Sequence, residues 1–226
     1  MQSIEIPPEI PVMTLPGAVF FPKTVIPLRI FEPRYREMLE ETLATHRIFA
    51  VAALSDKKAG LLAPQEPPYR IATAGVIRAC QKNDDGTSML LLEGLARIEI
   101  TSIVRERPYR VIAVRPLTDL PSADPEHLIK LRRQLVRAFT LRAKIGGDLP
   151  PDLRQAVVEI ADPAALCDML VFSLVRDPRF KQRMLEMLDP SERLRATIRF
   201  FQRESETLGI QRRTQGRLAD DEVGNN

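Results

Sequence analysis

Apolar and polar residues alternate in short runs through roughly the first half of the chain, and the period then becomes helical. Residues 10–15 form an apolar run closed by Pro16-Gly17, and residues 25–31 form a second β-rich run. Pro33 suits the first turn of a helix, where its missing N–H costs nothing. Tyr35, Met38, Leu39, Thr42 and Leu43 then recur at spacings that line one helical face. Residues 48–54 read as a third strand, and residues 55–69, with Pro64, Pro67 and Pro68, as an exposed loop. Residues 71–79, the turn Asn83-Asp84-Asp85-Gly86 and residues 88–93 predict a β-hairpin. Gly94 predicts a bulge or bend before a strand over 96–104, and residues 109–117 supply one more strand.

Beyond Leu117 one device marks the helix starts: Asp124-Pro125, Asp162-Pro163, Asp177-Pro178 and Asp189-Pro190. The Asp side chain accepts from free N–H groups as an N-cap, and Pro takes the first helical position. Gly146-Gly147 and Pro150-Pro151 end the first of these helices. From about Gln211 the chain is polar and has no apolar period, which predicts a frayed or disordered tail. The expected organisation is a β-rich domain over 8–119, a helical subdomain over 124–205 and a tail over 211–226.

Composition excludes more than it assigns. The hydrophobic fraction of 44% and charged fraction of 28% are those of a folded globular chain. No apolar run approaches the ~20 residues that cross a bilayer, and the start MQSIEIPPEIP lacks a basic, greasy leader, so a cytoplasmic protein is expected. Cys80 and Cys167 lack a paired spacing, which argues against a disulfide framework or a zinc site. A net charge of +3 does not by itself point to nucleic acid.

Motifs for catalysis fail on specific residues. Residues 17–24, GAVFFPKT, fit the phosphate-loop pattern except at Pro22, which stands where the second glycine belongs. A phosphate cradle is built from backbone N–H groups, and proline has none. His46 and His127 lie in no HExxH motif, and no GxSxG elbow occurs. Neither cofactor nor metal is expected.

Two stretches resemble one family. PVMTLPGAVFFPKTVIPLRIFEPRYREMLEETL (11–43) is similar to the opening of Lon protease N-terminal domains, and its IFEPRYREML portion to the short, stand-alone Lon-domain proteins of bacteria. LLLEGLARIEI (90–100) resembles the family's strand in which Glu-Gly-x-x-Arg follows an apolar run. DPAALCDMLVFSL and MLEMLDPSERLRATIRFFQRE resemble the helices that follow, so the likeness spans roughly residues 10–205. Gly17-Ala18 departs from the charged pair usual in the first loop of full-length Lon. The resemblance implies an α+β fold, a PUA-like pseudo-β-barrel followed by a C-terminal helical bundle. It also implies a role in recognising polypeptides, without the ATPase phosphate loop or the Ser-Lys protease dyad of full-length Lon.

A polypeptide binder needs apolar side chains that face water. Val19, Phe20 and Phe21, between Pro16-Gly17 and Pro22, are candidates, with the alternative that both phenylalanines plug the open end of the barrel. Phe31, Glu32, Arg34 and Tyr35 converge at a strand-to-helix junction, where Arg34 could pair with a partner and Tyr35 could stack; the alternative places Tyr35 in the core. Tyr69 belongs to a loop that could rim the same site. The expected partners are unfolded or exposed polypeptide segments, together with a separate protease or chaperone if the protein acts as an adaptor. The competing reading is RNA binding through Lys130, Arg133, Arg137 and Lys144, which share one narrow helical face.

Overall fold

The computed structural model describes residues 4–55, 67–122, 124–146 and 151–223, except the side chains of 151, 152, 213 and 215–223. Most of the expected loop over 55–69 therefore lies outside the described residues. Strands β1 (Glu9–Leu15), β2 (Val25–Ile30), β3 (Ile48–Ala53), β4 (Ile71–Lys82), β5 (Ser88–Arg105) and β6 (Val111–Leu117) form one mixed sheet. Helix α1 (Pro33–Ala44) follows β2; α2 (Pro125–Gly146), α3 (Pro151–Glu159), α4 (Pro163–Leu174), α5 (Pro178–Glu186) and α6 (Pro190–Val223) follow the strands. Helix α6 continues past Gln211 to Val223, where the sequence predicts a frayed tail.

The sheet closes because β5 is long. Its order is β2-β5-β4-β3-β1-β6, and β6 pairs again with the second half of β5 while β2 pairs with the first half. Residues 88–105 are one continuous strand, not the two expected around Gly94. The expected irregularity is present within it. Ala74 pairs with Ala96 and Gly75 with Gly94, so Leu95 is the extra residue of a bulge that bends the strand.

The molecule divides into two compact units. The first comprises residues 1–119 and 168–188, so the chain from Asp168 to Leu188 belongs with the barrel and not with the helical subdomain expected over 124–205. A buried ion pair ties it there. Arg97 on β5 donates to the Asp168 carboxylate at 2.8 Å and to the Leu185 carbonyl at 3.0 Å, and both charged side chains are about 95% buried. Gln182 donates to the Ile71 carbonyl at 3.0 Å. Arg97→Met should lower stability by about 3 kcal/mol, because the Asp168 carboxylate stays buried after losing its guanidinium. Chemical denaturation checks this; an unchanged midpoint and slope would rule it out.

Two cores fill this unit. Ile10, Val12, Ile48, Ala50, Ala52, Ala72, Ala74, Ile98 and Ile112 come from five strands and pack the barrel interior. Met13, Phe49, Val51, Leu28, Ile30, Leu90 and Leu92 pack on the opposite strand faces against Tyr35, Met38 and Leu39 of α1. All six residues of β3 are buried, as a strand covered on both faces requires.

The second unit comprises residues 120–167 and 189–226. Helices α2 and α6 run in the same direction: His127 meets Arg195 at 2.7 Å, and Arg142 meets Glu204 at 2.6 Å. Leu131, Leu135 and Phe139 on α2 and Leu194, Ile198 and Phe201 on α6 are buried. The Asp-Pro caps form at all four sites: Asp124 accepts from His127 N–H (3.0 Å), Asp162 from Ala164 (3.1 Å), Asp177 from Arg179 (2.9 Å) and Asp189 from Ser191 (2.7 Å). Among the described residues no helix is long and apolar enough to cross a membrane.

Candidate functional site

The ribbon made by β2 and the first half of β5 is apolar on both faces, but only one face is covered. Leu28, Ile30, Leu90 and Leu92 point into the core. On the opposite face Val25, Met89 and Leu91 are 49%, 43% and 43% exposed, and Phe31, one residue past the end of β2, is 58% exposed. The register sets Pro27 beside Leu91 and Arg29 beside Met89, and β4 adds Ala79 and Gln81 next to the same two residues. Strands that are apolar on both sides are normally sandwiched between layers. Here the outer layer is water, which leaves Val25, Met89 and Leu91 exposed, with Arg29, Gln81 and Glu93 beside them in the register.

Charges border this surface and are paired with one another. Arg78 meets Glu93 at 2.5 Å, Arg29 meets Asp85 at 3.8 Å, and Lys82 meets Glu40 at 3.2 Å. The Thr87 hydroxyl and N–H, both donating to the Asp85 carboxylate, hold its pKa below the usual carboxylate range. Such a rim keeps an apolar face in solution and adds little energy of its own.

The backbone edge beside this face is unsuited to strand addition. Gly94 N–H bonds to the Thr24 carbonyl at 2.9 Å. That contact turns the peptide groups of the even-numbered β2 residues toward β5 and places the nitrogen of Pro27 on the free edge. Proline has no hydrogen to donate there, so an incoming strand finds the ladder interrupted at its middle. Side chains, not main-chain hydrogen bonds, are what this face offers.

The residues expected to bind polypeptide separate into three places. Phe31 is exposed just past the end of β2. At the junction beside it Arg34 donates to Glu32 at 2.9 Å and its guanidinium lies 4.6 Å above the Tyr35 ring, but Tyr35 is a core residue and offers no free ring to a partner. Val19, Phe20 and Phe21 are 5%, 1% and 0% exposed, which corrects the reading of an exposed loop. Both rings are buried, as the alternative reading expected. Phe20 joins the core that includes α1 and meets Phe172 edge to face at 6.5 Å. Its carbonyl accepts from Thr73 Oγ1 at 2.6 Å, and that of Phe21 from Thr24 Oγ1 at 2.8 Å.

Tyr69 lines a separate cleft of ≈ 400 Å³ with Asp177, Arg179, Gln182, Arg183 and Glu186, none of them from the β2–β5 face. Two carboxylates against two guanidinium groups leave that cleft without net charge. Val25, Met89 and Leu91 were not singled out in the sequence. The signal was there in the unbroken apolar run Met89-Leu90-Leu91-Leu92, which has apolar side chains at both odd and even positions. Among the described residues no cluster of His, Cys, Asp or Glu is arranged to hold a metal. Lys130, Arg133, Arg137 and Lys144 are all exposed on α2.

Residues 9–203 match the family model described as the ATP-dependent protease La (LON) substrate-binding domain. The chain belongs to that family. What is matched is the part of the protease that binds substrate, a non-catalytic domain. Among curated relatives, the Lon protease of Heliobacterium modesticaldum is 32% identical over 93% of this chain, and that of Syntrophomonas wolfei 31% identical over 91%. The chain spans about a quarter of the length of these relatives, 26% and 25% respectively. Two solved structures share the α+β fold. The N-terminal domain of Mycobacterium avium complex Lon protease aligns with a TM-score of 0.64 at 16% identity, covering 85% of this chain and 97% of that one. A Lon N-terminal domain protein from Xanthomonas campestris aligns at 0.58 and 23% identity, covering 83% and 95%.

Proposed function

We propose that this Lon substrate-binding domain recognises non-native polypeptide, and that the outward face of β2 and β5 is where exposed apolar segments dock. The observation that carries this reading is the exposure of Val25, Met89 and Leu91 on one sheet face, with exposed Phe31 just past the end of β2. Burying the exposed part of each contributes about 1 kcal/mol at roughly 25 cal/mol per Å². A client that covers three or four of them gains enough to bind weakly and reversibly. Met89 adapts to clients of different shape because its side chain is unbranched and polarisable. The Pro27 break in the edge disfavours strand addition, which separates client binding here from edge-to-edge aggregation.

An adaptor role, in which the bound client is passed to a separate protease or chaperone, is consistent with this surface and belongs to the same proposal. The test is binding of a permanently unfolded polypeptide, such as reduced and carboxymethylated lactalbumin, to the wild type and to Phe31→Ser/Met89→Ser/Leu91→Ser. The triple variant should bind at least tenfold more weakly. Its stability should change little, because exposed positions away from special contacts usually shift it by less than about 0.5 kcal/mol each. Affinity of the wild type should hardly respond to salt, as apolar burial does not depend on screening. Equal binding by the triple variant would refute the assignment of this face.

A further inference from the structure

Of the seven methionines, all but Met1 lie among the described residues, and only one of these is exposed. Met13 and Met38 are core residues and Met184 is buried. Met169 and Met187 are half-buried, and the Met169 sulfur accepts from the Ser173 hydroxyl at 3.9 Å. Met89 is the exception, 43% exposed on the outward face of β5. Strand β5 lies between β2 and β4 there, so Met89 has a cross-strand neighbour on each side, Arg29 of β2 and Gln81 of β4. Residues paired in this way have Cβ atoms about 4.5–5.5 Å apart, close enough for their side chains to meet.

Both neighbours are exposed and end in N–H donors, a guanidinium and an amide. Arg29 meets Asp85 only at 3.8 Å, across two exposed side chains, a pairing that holds its guanidinium weakly. A thioether is a poor acceptor, so reduced Met89 makes little use of these donors. Oxidation changes that. With a peroxide as oxidant, a sulfur lone pair attacks one peroxide oxygen; an S–O bond forms and the O–O bond breaks. The departing hydroxide takes the proton of the transferred oxygen and leaves as water, so sulfur loses two electrons and the peroxide gains them. The sulfoxide is polar and chiral, and its oxygen is an acceptor with a donor on either side. A sulfoxide reductase that uses a dithiol reverses the step: the oxygen leaves as water and the two thiols become a disulfide.

We propose that Met89 is a reversible oxidation site that switches the β2–β5 face from client-binding to client-releasing when a peroxide converts it to the sulfoxide. This rests on the docking role proposed above for that face. An apolar client that covers oxidised Met89 must strip water from the sulfoxide oxygen and displace Arg29 or Gln81 from it, where it covered a flexible thioether before. The fold is spared. Leu90 and Leu92, on the other side of the strand, carry its packing, and the methionines that serve the cores are shielded from the oxidant by burial.

The experiment treats the full chain with hydrogen peroxide, removes the oxidant, and then measures binding of reduced and carboxymethylated lactalbumin. Peptide mass mapping locates the added oxygen, and circular dichroism follows the fold. Met89 should be oxidised before Met169 and Met187, and affinity should fall about fivefold as it converts, the factor that corresponds to losing the burial of that one side chain. Treatment with methionine sulfoxide reductases of both stereospecificities and a dithiol should restore it. Met169→Leu/Met187→Leu, a volume-conserving pair of changes, should lose affinity to peroxide as the wild type does. Met89→Leu, compared with itself before and after treatment, should lose none. Failure of the untreated protein to bind the lactalbumin sinks the docking reading and the switch with it. Binding that survives full conversion of Met89 leaves the docking face standing and overturns the switch alone. Earlier oxidation of Met169 or Met187, the same loss in Met89→Leu, or a loss of circular dichroism signal alongside affinity overturns it as well.

Discussion

Gly94→Ala should leave little folded protein, although it adds one methyl group to a strand. A Cβ at this position would stand 2.2 Å from the Phe21 carbonyl oxygen and 3.0 Å from Pro22 Cα. Both are backbone atoms, which cannot rotate out of the way as the end of a side chain does. The loop they belong to is held by Lys23 N–H on the Gly94 carbonyl (2.8 Å), Gly94 N–H on the Thr24 carbonyl (2.9 Å) and the two threonine bonds to the Phe20 and Phe21 carbonyls. Moving it costs about 1–3 kcal/mol of overpacking and about 1 kcal/mol for each hydrogen bond displaced. A total of about 5 kcal/mol rivals the whole stability of a typical domain. Thermal denaturation of purified Gly94→Ala measures it, and a midpoint within a few degrees of wild type would show that the loop yields more easily than its hydrogen bonds suggest.

Phe20→Ser/Phe21→Ser is the second large effect, and its direction separates a core role from a binding role. Each ring is buried, so truncation loses its transfer energy and leaves a cavity, about 3–5 kcal/mol per phenylalanine. The serine hydroxyls add buried polar groups that need partners. The double variant should be unfolded or insoluble, whereas the triple variant of the β2–β5 face should fold and bind weakly. Circular dichroism and solubility decide between them. A folded double variant with weakened client binding would return the Val19-Phe20-Phe21 loop to the surface.

The motif Glu93-Gly94-x-x-Arg97, which the sequence offered as a family likeness, has a structural explanation in the same contacts. Gly94 is the point where the β1–β2 loop crosses the strand too closely for any side chain. Arg97, three residues on, reaches Asp168 and Leu185 and so holds the helical segment 168–188 on the barrel. Glu93 pairs with Arg78 at the rim of the apolar face. Two of the three named residues thus serve the fold, and the third borders the proposed site.

Local chemistry by itself determined the strands other than the unbroken course of β5 through Gly94, the one-sided face of α1, the irregularity at Gly94 and all four capped helix starts, because each depends on residues close together along the chain. It also determined the basic row on α2, since helical spacing places residues three and four apart on one face. Tertiary structure decided which apolar residues meet water. Phe20 and Phe21 look like a sticky loop until Thr73, Phe172 and α1 are brought around them, and Met89 and Leu91 look like core until the register shows that no layer covers them. Burial depends on partners distant in sequence, and periodicity cannot name those partners. The same reason hid the packing of α2 against α6 and the Arg97–Asp168 pair, which moved the boundary between the two units.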